Sequence, residues 1–133
     1  MKIILISHFN LATGMKETLK YFNESAEDII AINAYMDDID PIRELELALL
    51  SVSGTVLIFT DILGGSVNQY AIKHLGRANT YVFCGMNLGM VLQAMALGDG
   101  ADKEQIISLE NAGKESVVCM NTYDFPQFDE EDE

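Results

Sequence analysis

Five short apolar runs are spaced along the chain: Ile3-Ile4-Leu5-Ile6, Ile29-Ile30-Ala31-Ile32, Val56-Leu57-Ile58-Phe59, Tyr81-Val82-Phe83-Cys84 and Val117-Val118-Cys119-Met120. Each is continuous rather than alternating, the pattern of strands covered on both faces in a parallel sheet. Between them the period becomes helical. Leu11, Met15, Leu19 and Phe22 share one helical face, and so do Ile42, Leu45, Leu49 and Val52. Asp40-Pro41 signals the start of the second helix, because proline at the first helical position lacks only an N–H that would have no partner there. Ser66-Val67-Asn68-Gln69 has the form of a capping box, and Asp102-Lys103-Glu104-Gln105 resembles it with Asp as the cap. A further helix is expected near Asn87. The predicted order β-α-β-α-β-α-β-α-α-β implies an α/β fold with a doubly wound, mainly parallel sheet and right-handed crossovers. The common strand order 2-1-3-4 is expected, with the fifth run as a C-terminal edge strand.

A length of 133 residues points to one domain, long enough to bury a core without staples. Residues 1–121 are expected to form it, and 122–133 to be an acidic C-terminal tail. Eight Lys+Arg against 21 Asp+Glu give a formal charge of −13. Removing the five terminal acids, Asp129, Glu130, Glu131, Asp132 and Glu133, from −13 still leaves −8, so the folded body is acidic too. Nucleic acid is therefore not an expected partner, since phosphate backbones are bound by clustered Lys and Arg. The two cysteines, Cys84 and Cys119, lie in apolar runs without metal-ligand spacing and are expected to be reduced core thiols. The stretch from Ala78 to Gly98 carries no charge, but Asn79, Thr80, Asn87, Gln93 and its glycines divide it into a strand and a helix rather than a membrane span. A cytoplasmic protein is expected.

In an open α/β sheet, ligands bind beyond the carboxyl ends of the strands, where the strand order reverses. Ser7-His8-Phe9-Asn10 follows the first strand, and Thr60-Asp61-Ile62-Leu63-Gly64-Gly65-Ser66 follows the third and leads into a helix. With strands 1 and 3 as neighbours, His8 and Asp61 lie side by side and the helix start faces both. Each residue also has an ordinary reading. His8 ends a strand, Asp61 forms a turn that should accept Asn equally well, Gly64-Gly65 lets the chain bend, and Ser66 caps a helix. Together they supply an imidazole nucleophile, a carboxylate to orient it and a glycine-rich turn at a helix start, which offers N–H groups to an anion. Those are the parts that transient phosphorylation of a histidine requires. Neutral His8 would attack through Nε2 while Asp61 holds Nδ1–H, the division of labour of a His–Asp pair in a protease. No acidic cluster accompanies His8, so neither a metal nor another cofactor is expected. His74, in Lys73-His74-Leu75-Gly76, has an ordinary surface setting near a helix C-terminus, and Met86, Met90 and Met95 are expected to pack.

The Ile-Leu-Ile-Ser-His8 ending of the first strand, with Phe-Thr-Asp61-Ile-Leu-Gly64-Gly65-Ser66 after the third, resembles the IIA component of mannose-family sugar phosphotransferase systems. The resemblance extends over about residues 1–121, including Gly113-Lys114-Glu115 before the last run. It implies a phosphohistidine carrier that accepts phosphate from HPr and donates it to a IIB protein, with membrane IIC and IID components involved indirectly. His8 would be phosphorylated, Asp61 its orienting carboxylate, and Gly64, Gly65 and Ser66 the phosphate-binding turn. A homodimer in which the last strand joins the partner's sheet is implied as well. Two positions depart from the pattern: Phe9 stands where many relatives have glycine, and Ile62 where some have threonine. The phosphocarrier subunit of dihydroxyacetone kinase systems is a related alternative. A receiver-type domain phosphorylated on Asp61 is another, though Ser7 and His8 stand where it needs two acids. A non-catalytic module reporting phosphorylation state is a third.

Overall fold

The computed structural model describes residues 1–124. Strands β1 (Lys2–His8), β2 (Ile30–Ala34), β3 (Val56–Thr60) and β4 (Thr80–Phe83) form one sheet in the order β2-β1-β3-β4, every pair parallel. Helices α1 (Leu11–Phe22), α2 (Pro41–Leu50) and α3 (Ser66–Ile72) make the crossovers, with a 3-10 turn at Glu24–Asp28. After β4 come α4 (Leu88–Leu97), α5 (Lys103–Ile107) and α6 (Leu109–Glu115). The expected α/β architecture and strand order are therefore present.

The continuous apolar runs are explained by two cores, one on each face of the sheet. Ile3, Leu5, Leu57 and Phe59 pack against Leu19 of α1, Met90, Val91 and Ala94 of α4, and Ile106 and Leu109 beyond it. Ile4, Ile6, Val56 and Ile58 alternate with them and face Leu45 and Leu49 of α2 and Val67 and Ala71 of α3. Full burial of each such side chain is worth about 1.5–3 kcal/mol relative to exposure, so a polar substitution at any of these apolar positions is expected to cost stability. The α1 stripe is rotated slightly from expectation: Ala12 and Leu19 are buried, whereas Leu11 and Phe22 are half-exposed. The charge-free stretch from 78 to 98 resolves into β4 and α4, and no helix among the described residues is long and apolar enough to cross a membrane.

Local capping follows the sequence at three helix starts. Asp40 accepts from the N–H groups of Ile42 and Arg43 with Pro41 at the first helical position. Asn87 accepts from Met90 N–H, and Asp102 and Gln105 form a reciprocal capping box. At Ser66 the expectation is corrected. Gly65 is the N-cap of α3 and no side chain caps it. The polar side chains following it act backwards on the turn: Asn68 Oδ1 accepts from Gly64 N–H at 3.1 Å, and Gln69 Nε2 donates to Gly64 O at 2.9 Å. The Ser66 hydroxyl is thereby left for other partners.

The fifth apolar run is also corrected: Val117–Met120 is not a strand of this chain's sheet, and Gly113-Lys114-Glu115 is the last turn of α6. Ser116 donates to Gly113 O and Asn87 Oδ1, and the backbone bonds that follow run from Thr122 and Tyr123 N–H to Cys119 O, as in a turn rather than a ladder. Val117, Val118 and Met120 are exposed. Cys119 is exposed and Cys84 half-buried, both free, so only Cys84 approaches the expected core setting. The acidic run Asp129–Glu133 lies outside the described residues.

Candidate functional site

The register of β1 and β3 pairs Ile6 with Thr60, so the residues that follow, His8 and Asp61, emerge together at the carboxyl end of the sheet. Asp61 Oδ2 accepts from the backbone N–H of His8 at 2.7 Å and lies 2.8 Å from His8 Nδ1. Its Oδ1 accepts from Ile62 N–H at 2.9 Å. A carboxylate has no hydrogen to give, so Nδ1 carries a proton, and in the neutral ring Nε2 keeps its lone pair. The Asp61 side chain is 6% exposed and that of His8 35% exposed, an arrangement that shields the carboxylate and leaves the imidazole accessible.

Burial pushes the Asp61 carboxyl upward, but the backbone and ring N–H groups of His8 and the N–H of Ile62 together outweigh it and hold the group below the usual aspartate range. Because the folded-state value is depressed, the stability contributed is complete above the unfolded value, about pH 4, and is lost as the pH falls through the folded one. Chemical denaturation at a series of pH values from about 5 to 2 is expected to show this loss. Asp61→Asn, which has nothing to protonate, should show a shallower acid limb.

The sequence places the other candidates around the open nitrogen. Ser66 Oγ stands 3.5 Å from His8 Nε2, at the outer limit of a hydrogen bond, a weak contact that an incoming group can displace. Gly65 lies beside the imidazole: a Cβ there would stand 3.5 Å from His8 Cε1 and 3.4 Å from Ile62 O. Gly64 has φ +77°, a left-handed conformation that glycine adopts without strain. Its N–H is held by Asn68, and that of Gly65 by Ile62 O at 3.2 Å. The two glycines thus provide conformation and space, while Ser66, first in α3, brings an N–H without an intrahelical acceptor. Gly64→Ala is expected to cost about 1–2 kcal/mol from the left-handed backbone alone. Thermal unfolding should report that loss, and an unchanged melting temperature would contradict the strain argument.

His74 lies just beyond the far end of α3 and its backbone N–H bonds to Ala71 O, away from this constellation. Phe9 follows His8 with φ +50° and an exposed ring, its N–H donating to Ala34 O at 2.9 Å. That backbone explains why glycine is natural here. Ile62 and Leu63, in the turn after β3, are exposed as well.

Several contributors escape sequence reasoning. Ser7 Oγ is buried and accepts from Ala12 N–H at 2.7 Å, fixing the start of α1 behind His8. Asn68, also buried, donates to Thr60 Oγ1 at 3.0 Å and so links the glycine turn to β3. Its signal is the polar Ser-Val-Asn-Gln string, which has the form of a capping box. Tyr35, just after β2, sets its ring 5.3 Å from that of His8 at 38° and hydrogen-bonds through its hydroxyl to Ser66 Oγ and, at 2.8 Å, to the Tyr70 hydroxyl. No sequence spacing announces it.

A family model described as PTS (phosphotransferase system) fructose IIA component matches residues 2–109. No curated protein matches the chain by sequence. Among solved structures, a putative phosphoenolpyruvate-dependent sugar PTS permease from Klebsiella pneumoniae is similar, with a TM-score of 0.81 at 22% identity, covering 91% of each chain. A mannose/sorbose-specific IIA subunit from Enterococcus faecalis has a TM-score of 0.76 at 22% identity, over 96% of this chain and 98% of its own. PTS component EIIA from Streptococcus agalactiae has a TM-score of 0.77, also at 22% identity, over 92% of this chain and 98% of its own.

Proposed function

The chain belongs to the PTS fructose IIA component family, and from that premise we propose that it is a cytoplasmic phosphohistidine carrier of a sugar phosphotransferase system, phosphorylated on His8. The observation that carries this reading is the His8–Asp61 pair, in which Nδ1–H is held by a shielded carboxylate and Nε2 is left open. The donor is HPr and the acceptor a IIB protein, which passes the group on towards membrane IIC and IID components. Residues 1–121 constitute the carrier, with 122–133 as an appendage.

In the forward step, the Nε2 lone pair of His8 attacks the phosphorus of phosphorylated HPr. An N–P bond forms on His8 as the donor's N–P bond breaks, the donor ring nitrogen keeping the electron pair. No proton leaves Nδ1. The phosphorylated ring is therefore imidazolium-like, and the Asp61 carboxylate beside Nδ1 offsets its charge. Phosphoryl transfer depends on alignment and charge stabilisation. Gly65 leaves room beside the ring, Gly64 shapes the turn, and Ser66 offers its N–H and hydroxyl to the phosphoryl oxygens. Transfer to IIB is the same exchange in reverse. Incubation with enzyme I, HPr and phosphoenolpyruvate, followed by mapping of the phosphorylated residue, tests the reading. Acid-labile label on His8 is expected, and hydroxylamine-sensitive label on Asp61 would replace it with a receiver-type function.

A homodimer is part of the same proposal. β4 is an edge strand with four half-exposed residues, Thr80 to Phe83. Beside it runs an apolar groove of about 730 Å³, bounded on the other side by Ile107, Gly113 and Val117. An apolar edge invites pairing, and the exposed Val117–Met120 run of a second copy supplies a strand of suitable composition. Light scattering at micromolar concentration is expected to give twice the 14.7 kDa chain mass. A stable monomer, or a chain ending at Gly113 that stays folded and soluble, would count against the exchange.

A further inference from the structure

We propose that Tyr35 is a positioning residue for phosphoryl transfer: supported by Tyr70, its hydroxyl fixes the Ser66 hydroxyl beside His8 Nε2, so that the hydroxyl meets the incoming phosphoryl group already oriented. The inference rests on the reading of His8 as the phosphorylated residue.

The three hydroxyls form one chain that ends at the nucleophile. Tyr70 and Ser66 are four residues apart on α3 and so lie on the same face of it. Tyr35 reaches across from the end of β2 and bonds to both. Ser66 Oγ then stands 3.5 Å from Nε2. Nε2 is an acceptor only, because Nδ1 carries the ring proton towards Asp61. The polarity of the chain follows: Ser66 O–H points at Nε2, Ser66 Oγ accepts from Tyr35 O–H, and Tyr35 accepts from Tyr70.

Two further features separate this arrangement from routine packing. Tyr35 has φ +64°, in the left-handed region that a bulky side chain rarely adopts, and its side chain is half-exposed rather than buried in the core. From this backbone the side chain is set towards His8, its ring 5.3 Å from the imidazole. Ser66, for its part, does not cap α3. When Nε2 becomes bonded to phosphorus, the Ser66 O–H loses its acceptor there and turns to a phosphoryl oxygen while Tyr35 continues to hold Oγ.

The test compares Tyr35→Phe, which keeps the ring and removes the hydroxyl, with Tyr70→Phe, Ser66→Ala and the Tyr35→Phe/Ser66→Ala double variant. Thermal unfolding serves as the control for folding. Single-turnover transfer from phosphorylated HPr, measured over donor concentration, is expected to show about a tenfold lower limiting rate for Tyr35→Phe, as for loss of one hydrogen bond. The donor concentration at half-maximal rate should hardly change. The double variant should be no slower than Ser66→Ala, because the two residues act through one hydroxyl. Without any partner protein, the ¹⁵N resonance of His8 Nε2 should move towards that of an unbonded ring nitrogen in Tyr35→Phe and Ser66→Ala, with His74 unmoved. If the parent protein is labelled on His8 while Tyr35→Phe transfers within about twofold of it and leaves the Nε2 resonance in place, the positioning role is wrong and the carrier reading stands. Multiplying losses in the double variant would likewise overturn it. If the parent accepts no phosphoryl group from HPr, the carrier reading fails and this role falls with it.

Discussion

His8→Ala is expected to abolish phosphoryl labelling by phosphorylated HPr, whereas His74→Ala should leave it intact. The expected loss is more than about 10⁴-fold, since removing the nucleophile of a group-transfer enzyme leaves only binding and electrostatic assistance. No neighbour replaces it. The Asp61 carboxylate is engaged by three N–H groups and turned towards the ring it orients, and Ser66 has no base beside it once the imidazole is gone. His74 shares the imidazole but none of the setting, lying beyond α3 with no carboxylate bonded to it among the described residues. The measurement is transfer of labelled phosphate through enzyme I and HPr, with site mapping of the parent. Label on His8→Ala equal to that on the parent would end the proposal.

Asp61→Asn is expected to slow single-turnover transfer by roughly 10²–10³-fold, the range for removing one preorganised stabilising group. The same exchange in a His–Asp protease pair costs about 10⁴, but here no proton is relayed through the ring. The amide can turn only one acceptor to a site where the backbone N–H and Nδ1–H of His8 share Oδ2 and Ile62 N–H occupies Oδ1. One donor is therefore left facing a donor, or the ring adopts the other tautomer and masks Nε2. The charge that offsets the phosphorylated imidazole is lost as well. The structure also revises the expectation that Asn would be neutral for folding. With a buried N–H left unsatisfied, a stability loss of about 1–3 kcal/mol is expected. Transfer within threefold of the parent, or under about 1 kcal/mol, would reduce Asp61 to a turn residue.

The four parallel strands are legible in the amino-acid pattern, and with the common order of such a sheet so is the pairing of His8 with Asp61. These rest on local signals: an apolar run of strand length, Asp40-Pro41 and Asp102–Gln105 at helix starts, and two motifs that a 2-1-3-4 order must bring to the same edge. What the polar residues between those signals do depends on partners brought in by the fold. Ser66 and Asn68 look like a cap and its neighbour, and a local hydrogen bond was available to them. The turn after β3 instead directs Asn68 to Gly64 and Thr60, and Ser66 to Tyr35 and His8. Tyr35 and Ser66 are 31 positions apart, and no periodicity or spacing rule reaches across a crossover. The run Val117–Met120 shows the opposite limit. Its composition is that of a strand, but a ladder also needs a free edge within reach, and after the turn that follows α6 this segment joins no ladder among the described residues. Hydrophobic periodicity and caps are properties of neighbouring residues. Hydrogen-bond partners and edge pairing depend on where the crossovers set distant residues down.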